Sequence, residues 1–176
     1  MAYFADWDLS WVLDASQREL LLRLTPGAFD DNRAGWADAL ATEEWLRGNV
    51  AGARKYAEEA RKGYLEQLEK APDIPWLHSS LGAMLAILGQ SEKAVREGER
   101  AVELAPIEKD PDIGWNVLRY LSVIHTRLGH PEPAIDALEQ ALKASYRFTP
   151  GWLRVDPNFD PLRGNPRFEK LAKGRD

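Results

Sequence analysis

The sequence contains no cysteine, which removes disulfides, thiolate nucleophiles and cysteine-ligated zinc or iron–sulfur centres at once. That absence fits a reducing compartment, and a cytoplasmic location is expected. Histidine is scarce: His78, His125 and His130 are the whole complement. No H-E-x-x-H motif occurs, and His125 and His130 stand five apart across Gly129, a poor spacing for one helix face. His125 therefore reads as a packed or hydrogen-bonded core residue, and no metal site is expected. A surplus of positive charge is lacking too. The 23 Lys and Arg are outnumbered by 28 Asp and Glu, a net charge of −5. Phosphate backbones need a basic face, so nucleic acid is not an expected partner, and only a local basic patch stays open. Long hydrophobic runs are missing as well. The strongest, Leu81 to Leu88, falls far short of the roughly 20 residues of a membrane span. The opening MAYFADWDLS carries two Asp and no Lys or Arg, unlike the basic start of a signal peptide. No membrane insertion is expected of this chain, although a longer parent protein could carry an anchor.

Catalytic motifs are absent in the same way. There is no glycine-rich phosphate loop, no kinase or cyclase motif, no nucleophile elbow and no recognisable triad. Carboxylates cluster at Asp30–Asp31, Glu43–Glu44 and Glu58–Glu59. Adjacent acids on a helix diverge by about 100°, so these read as solvated faces rather than acid–base pairs. No catalytic residue and no cofactor are expected. An enzyme of unfamiliar type would need a deep polar pocket holding ionisable groups of shifted pKa.

What is present is a repeat. The chain has 176 residues, 44% hydrophobic and 29% charged, values of a folded domain rather than a disordered one. Three segments align, beginning at Ala39, Ser80 and Tyr120. Each carries Leu followed by a small residue: Leu40–Ala41, Leu81–Gly82 and Leu121–Ser122. Each then has glycine seven residues later (Gly48, Gly89, Gly129), alanine five beyond that (Ala53, Ala94, Ala134) and a second alanine seven further on (Ala60, Ala101, Ala141). The glycines recur at intervals of 41 and 40 residues. Leu and the small residue suit the inner face of a first helix, and glycine suits its left-handed termination. Alanines seven apart share one face of a second helix and let an antiparallel pair close tightly. Pro131 and Pro133 fall in the third turn and first helical turn, where a missing N–H costs little. Pro106 closes the second unit.

This pattern resembles the tetratricopeptide repeat, whose signature runs W-x2-L-G-x2-Y, then A-x3-F, then a late Pro. The second unit matches best, through Leu81, Gly82, Gly89, Ala94, Ala101 and Pro106. Departures occur at the aromatic positions, taken by His78, Leu85 and Gly98 in the second unit, Glu44 and Ala57 in the first, and His125 in the third. Tyr146 replaces the closing Pro of the third unit. A HEAT-like reading suits a 40-residue period but does not explain the Leu-small, Gly and Ala spacing. The excess over the family's usual period sits in the connections: IEKDPDIG precedes the third unit, and the second helix of the first is expected to run on to Ala71.

The resemblance implies an all-α, right-handed α-α superhelix of three helical-hairpin repeats. An N-terminal helical cap is expected over residues 1–30, repeats over 31–72, 73–107 and 112–147, and a Pro-rich cap over 148–176 with a short final helix near Pro166–Lys173. The tail PGWLRVDPNFDPLRGNPRFEKL, through Trp152, Leu153, Asp156, Pro157, Pro161, Leu162, Arg163, Pro166, Arg167 and Phe168, looks like the one closing such regions in bacterial Ser/Thr kinases and adenylate-cyclase-like regulators. The resemblance then implies a regulatory or sensory scaffold of a larger signalling protein, with a protein or peptide partner. By the family's positions, the concave groove is floored by Asp38, Thr42 and Trp45 in the first repeat, Trp76, Ser79 and Ala83 in the second, and Asn116, Arg119, Val123 and Arg127 in the third. Asp38, Thr42 and Ser79 do not supply the cationic clamp that grips chaperone C-terminal carboxylates. Of the seven tryptophans (7, 11, 36, 45, 76, 115 and 152), some are expected in packing; Trp45 and Trp76 are open to either packing or groove exposure. Stacking on a second copy, giving a homodimer without a peptide ligand, is the alternative reading.

Overall fold

A computed structural model describes residues 10–144 and 148–174. Trp7, Tyr146 and the first nine residues of the expected leader lie outside the described residues. The class is all-α: no strand occurs among the described residues. Helix α1 (Ala15–Leu21) is followed by α2 (Arg33–Leu46), α3 (Val50–Lys70), α4 (Pro75–Ile87), α5 (Ser91–Leu104), α6 (Pro111–Arg127), α7 (Pro131–Ala144), α8 (Pro150–Val155) and α9 (Pro166–Lys173). Short 3₁₀ turns cover Ser10–Val12, Pro26–Phe29 and Pro157–Leu162.

The helix starts are written locally. Asp14 and Gln17 form a reciprocal capping box at α1. Asn32, Asn49 and Asp110 cap α2, α3 and α6 by accepting from the backbone N–H three residues on, which satisfies donors the helix itself leaves unpaired. Three ends are equally local. Gly48, Gly89 and Gly129 take φ of 76°, 76° and 73°. Gly48 donates to Trp45 O and Asn49 to Glu44 O, both at 2.9 Å, and the same two bonds recur at Gly89–Gln90 and Gly129–His130. This is one Schellman turn used three times, and it folds α3, α5 and α7 back along α2, α4 and α6.

The pairs α2–α3, α4–α5 and α6–α7 form hairpins, and α4 also packs on α3 and α6. Small residues set the approach. A Cβ on Gly82 would lie 2.9 Å from Ala94 O and 3.2 Å from Gly98 N, so α4 touches the backbone of α5 there. The same Cβ would meet Ile124 Cδ1 at 2.7 Å, and one on Gly98 would meet it at 2.8 Å. Ile124 of α6 thus plugs a notch cut by two glycines of the preceding hairpin. An aromatic at Gly98 has no room because the next hairpin fills that space.

Gly114 explains how the long connection before α6 is held. A Cβ there would sit 2.5 Å from Ile107 Cα and 2.9 Å from Ile107 N, so the loop lies directly on the helix. Backbone cannot yield as a side chain can. Gly114→Ala is expected to destabilise the fold by about 1–3 kcal/mol, read as a lower urea midpoint at unchanged slope. An unchanged midpoint would mean that the loop lifts off α6 at little cost.

The core is divided into several clusters along the chain. One cluster joins α2 to α5, including Ala41, Ala57, Leu81 and Met84, and reaches Ile124 of α6. A second joins α6 and α7 to Phe148, Leu153, Phe159, Leu162 and Phe168 of the tail. A third sets Leu13, Leu21 and Phe29 of the leader against Ala39 on α2.

Candidate functional site

Arg127 ties the first helices of the three hairpins together along one face. From the end of α6, its Nη1 donates to Ala83 O on α4 at 3.2 Å, and its Nη2 reaches Thr42 Oγ1 on α2 at 3.5 Å. Thr42 in turn donates to Asp38 Oδ1 at 3.3 Å, and Tyr64 of α3 donates to Asp38 Oδ2 at 2.7 Å. Burial first, and then the neighbouring Asp38, push the Tyr64 hydroxyl well above its ordinary range, which keeps it a donor at neutral pH.

The chain's own tail lies on the third-hairpin end of this face. Arg119, 2% exposed, faces the fully buried Asp156 at 3.6 Å. The Asp156 carboxylate also accepts from the Trp152 indole N–H at 3.1 Å and from Asn158 N and Nδ2, both at 2.9 Å. Asn158 Oδ1 accepts from Arg127 Nη2 at 3.3 Å. Arg119 Nε donates to Asn116 Oδ1 at 3.3 Å, and its guanidinium lies over the Tyr120 ring at 4.7 Å. Around this polar knot Trp152 meets Trp115 and Trp11 edge-on, at 6.1 and 6.3 Å, while Trp115 stacks on Phe148. The leader and the tail therefore touch each other.

The ten residues expected to floor a groove divide accordingly. Thr42, Ser79, Ala83, Arg119 and Val123 are buried. Asp38, Trp45, Asn116 and Arg127 are partly buried, with Trp45 packed on the core of the first two hairpins. Trp76 alone of the ten is half exposed, its ring edge-on to Tyr64 at 6.5 Å. Where the resemblance implies an open floor at Arg119 and Val123, the tail folds back over it, because Leu153, Phe159 and Leu162 find their apolar burial there.

Two features stand outside the sequence reading. Asp156 and Asn158 emerge as the partners of Arg119 and Arg127, although Asp156 carries only a place in the tail motif. Glu43, expected on a solvated face beside Glu44, is fully buried, and neither carboxylate oxygen has a hydrogen-bond partner among the described residues. The repeat register holds the signal for this: Glu43 aligns with Met84 and Ile124, which are buried between hairpins. Burial raises the Glu43 pKa, opposed by Arg18 and Arg47. Both cations bond to other groups, Arg18 through Nε to Leu13 O and through Nη2 to Trp11 O, and Arg47 through Nη2 to Glu19.

His78 hydrogen-bonds through Nδ1 with Glu97 of α5 and through Nε2 with Pro72 O, both at 2.7 Å, pinning α4 to its neighbours. His125 and His130 come within 5.8 Å, ring centre to ring centre, and burial lowers the His125 pKa. Among the described residues no group of three or more His, Asp or Glu is placed to hold a metal ion. No helix among them is long and apolar enough to cross a membrane. No protein-family model matches this sequence, and no curated protein does either.

Proposed function

We propose that this chain is a tetratricopeptide-like, right-handed superhelical scaffold that binds a protein or peptide partner and catalyses no reaction. The observation that carries the reading is the Arg127 tie from α6 to Ala83 of α4 and Thr42 of α2, which makes the inner faces of three hairpins one surface. That surface already holds a polypeptide, the chain's own tail, through a buried acid on a buried base. A partner segment would dock at the end the tail leaves accessible, with the half-exposed Trp76 as its aromatic anchor and Asp38 close by through Tyr64. In this reading the protein is cytoplasmic and serves as a regulatory or sensory region of a larger bacterial signalling protein, in keeping with the tail motif.

A peptide library selected on the immobilised chain tests this. Selected peptides should quench or shift Trp76 fluorescence and bind at least about tenfold more weakly to Trp76→Ala, since an aromatic anchor contributes roughly 2 kcal/mol or more. Circular dichroism of the variant should be unchanged. Peptides that bind the two proteins equally would remove the inner face as the site. A stable dimer that Trp76→Ala dissociates would favour self-association instead.

A further inference from the structure

One stripe of α2 holds the leader. Ala39 is buried against Leu13, Leu21 and Phe29, and eight residues on, Arg47 bonds Glu19 of α1 at 2.7 Å. Nearer the start of the helix, Trp36 Nε1 donates to Leu24 O at 2.8 Å. Glu43 stands four residues from both Ala39 and Arg47 and so lies on the same stripe. It is fully buried there, and neither carboxylate oxygen has a partner among the described residues. The charged groups around it are Arg18 and Glu19 of α1, and Glu44 and Arg47 next to it on its own helix. Each is engaged elsewhere: Arg18 with Leu13 O and Trp11 O, Glu19 with Arg47, and Glu44 with Asn49. The hairpin partner α3 buries Ala53, Ala57, Ala60 and Tyr64, and the Tyr64 hydroxyl donates to Asp38.

We propose that the leader is a proton-controlled cover, seated on α2 while Glu43 carries a proton and lifting from it once Glu43 ionises, with the three hairpins still folded. The cause is desolvation. A carboxylate buried without partners costs far more than a neutral carboxyl, and lifting the leader returns it to water. Burial raises the Glu43 pKa, so the seated leader holds the proton more tightly than the lifted one. Seating is therefore strongest below the ordinary 4.5 and weakens as pH climbs through the raised value. The Glu19–Arg47 pair has the opposite sign. That bond holds the Glu19 pKa down, so its loss loosens the leader only in acid. The apolar hold is small, chiefly Leu13, Leu21 and Phe29, which lets one carboxylate shift the balance. Trp11 meets Trp152 of the tail at 6.3 Å and would part from it in the same movement. Neither the inner face nor Trp76 takes part.

Amide hydrogen exchange of the full chain, read residue by residue by NMR, tests this on the wild type and the isosteric Glu43→Gln between about pH 4 and pH 8. The amides of Arg18, Leu22 and Leu24, bonded within the leader, report its lifting, and those inside α4 report unfolding of the hairpins. Near neutrality the wild-type leader amides should exchange at least about tenfold faster than those of α4. At the leader amides, the ratio of wild-type to Glu43→Gln rates should be near one in acid and rise to about fivefold or more at neutral pH. Taking the ratio at the same amide cancels the intrinsic pH dependence of exchange. Glu43→Met should give the same rise, which keeps the test open if Glu43→Gln folds poorly. A ratio that stays flat with pH would overturn the proposal. Leader and α4 amides exchanging at one common rate near neutrality would overturn it as well, because the leader would then open only with the whole fold.

Discussion

Asp156→Ala is expected to cost about 3–5 kcal/mol of stability, because it leaves a buried guanidinium without the carboxylate it faces. Asp156 is fully buried and Arg119 is 2% exposed, so water cannot take over the charge. The indole of Trp152 and the amide of Asn158 lose their acceptor in the same change. Urea unfolding followed by both tryptophan fluorescence and circular dichroism measures it. The double variant Arg119→Met/Asp156→Leu should lie much nearer the wild type, since exchanging a whole buried ion pair for apolar groups is often close to neutral. A loss below about 1 kcal/mol in Asp156→Ala would identify the pair as no stronger than a surface contact.

The size of this effect decides how the tail functions. Removing the tail from the inner face would break the Asp156 knot and also expose Leu153, Phe159 and Leu162, each buried to within 3%. At about 1.5–3 kcal/mol for each large apolar side chain, the three alone come to about 4.5–9 kcal/mol, comparable to the roughly 8 kcal/mol delivered by a micromolar ligand. A partner of millimolar affinity, at about 4 kcal/mol, therefore does not displace the tail. Against such partners the tail is a cap, and Trp76 marks the more exposed end.

Glu43→Met is expected to act in the opposite direction and stabilise the protein at neutral pH by about 1–3 kcal/mol, the cost of a buried polar group without partners. Methionine is what the repeat register places at the equivalent position of the second hairpin, Met84. The pH dependence distinguishes ionisation from packing. Burial raises the Glu43 pKa above its ordinary 4.5, so the folded state holds this proton more tightly than the unfolded one. The wild type thus gains stability as pH falls through the raised value, and this contribution is fully present below 4.5. The advantage of Glu43→Met should accordingly be largest near neutrality and shrink towards pH 4. Urea midpoints of the two proteins across that range test it. A difference that does not change with pH would trace the gain to packing alone.

Local residue chemistry specifies the helical class, the hairpin turns and much of the spacing between hairpins. Those features are local. A glycine at φ near 75° closes a helix whatever lies elsewhere, and an Asn or Asp three residues before a free N–H starts one. Even the loss of an aromatic at Gly98 is visible in the sequence, although its reason, the Ile124 side chain from the next hairpin, is not. Which face stays open is set by long-range packing. Periodicity puts Arg119 and Val123 on the inner face, but only the return of a tail some thirty residues later buries them. Burial and convergence of charge depend on which distant segments meet, and local propensity carries no term for that.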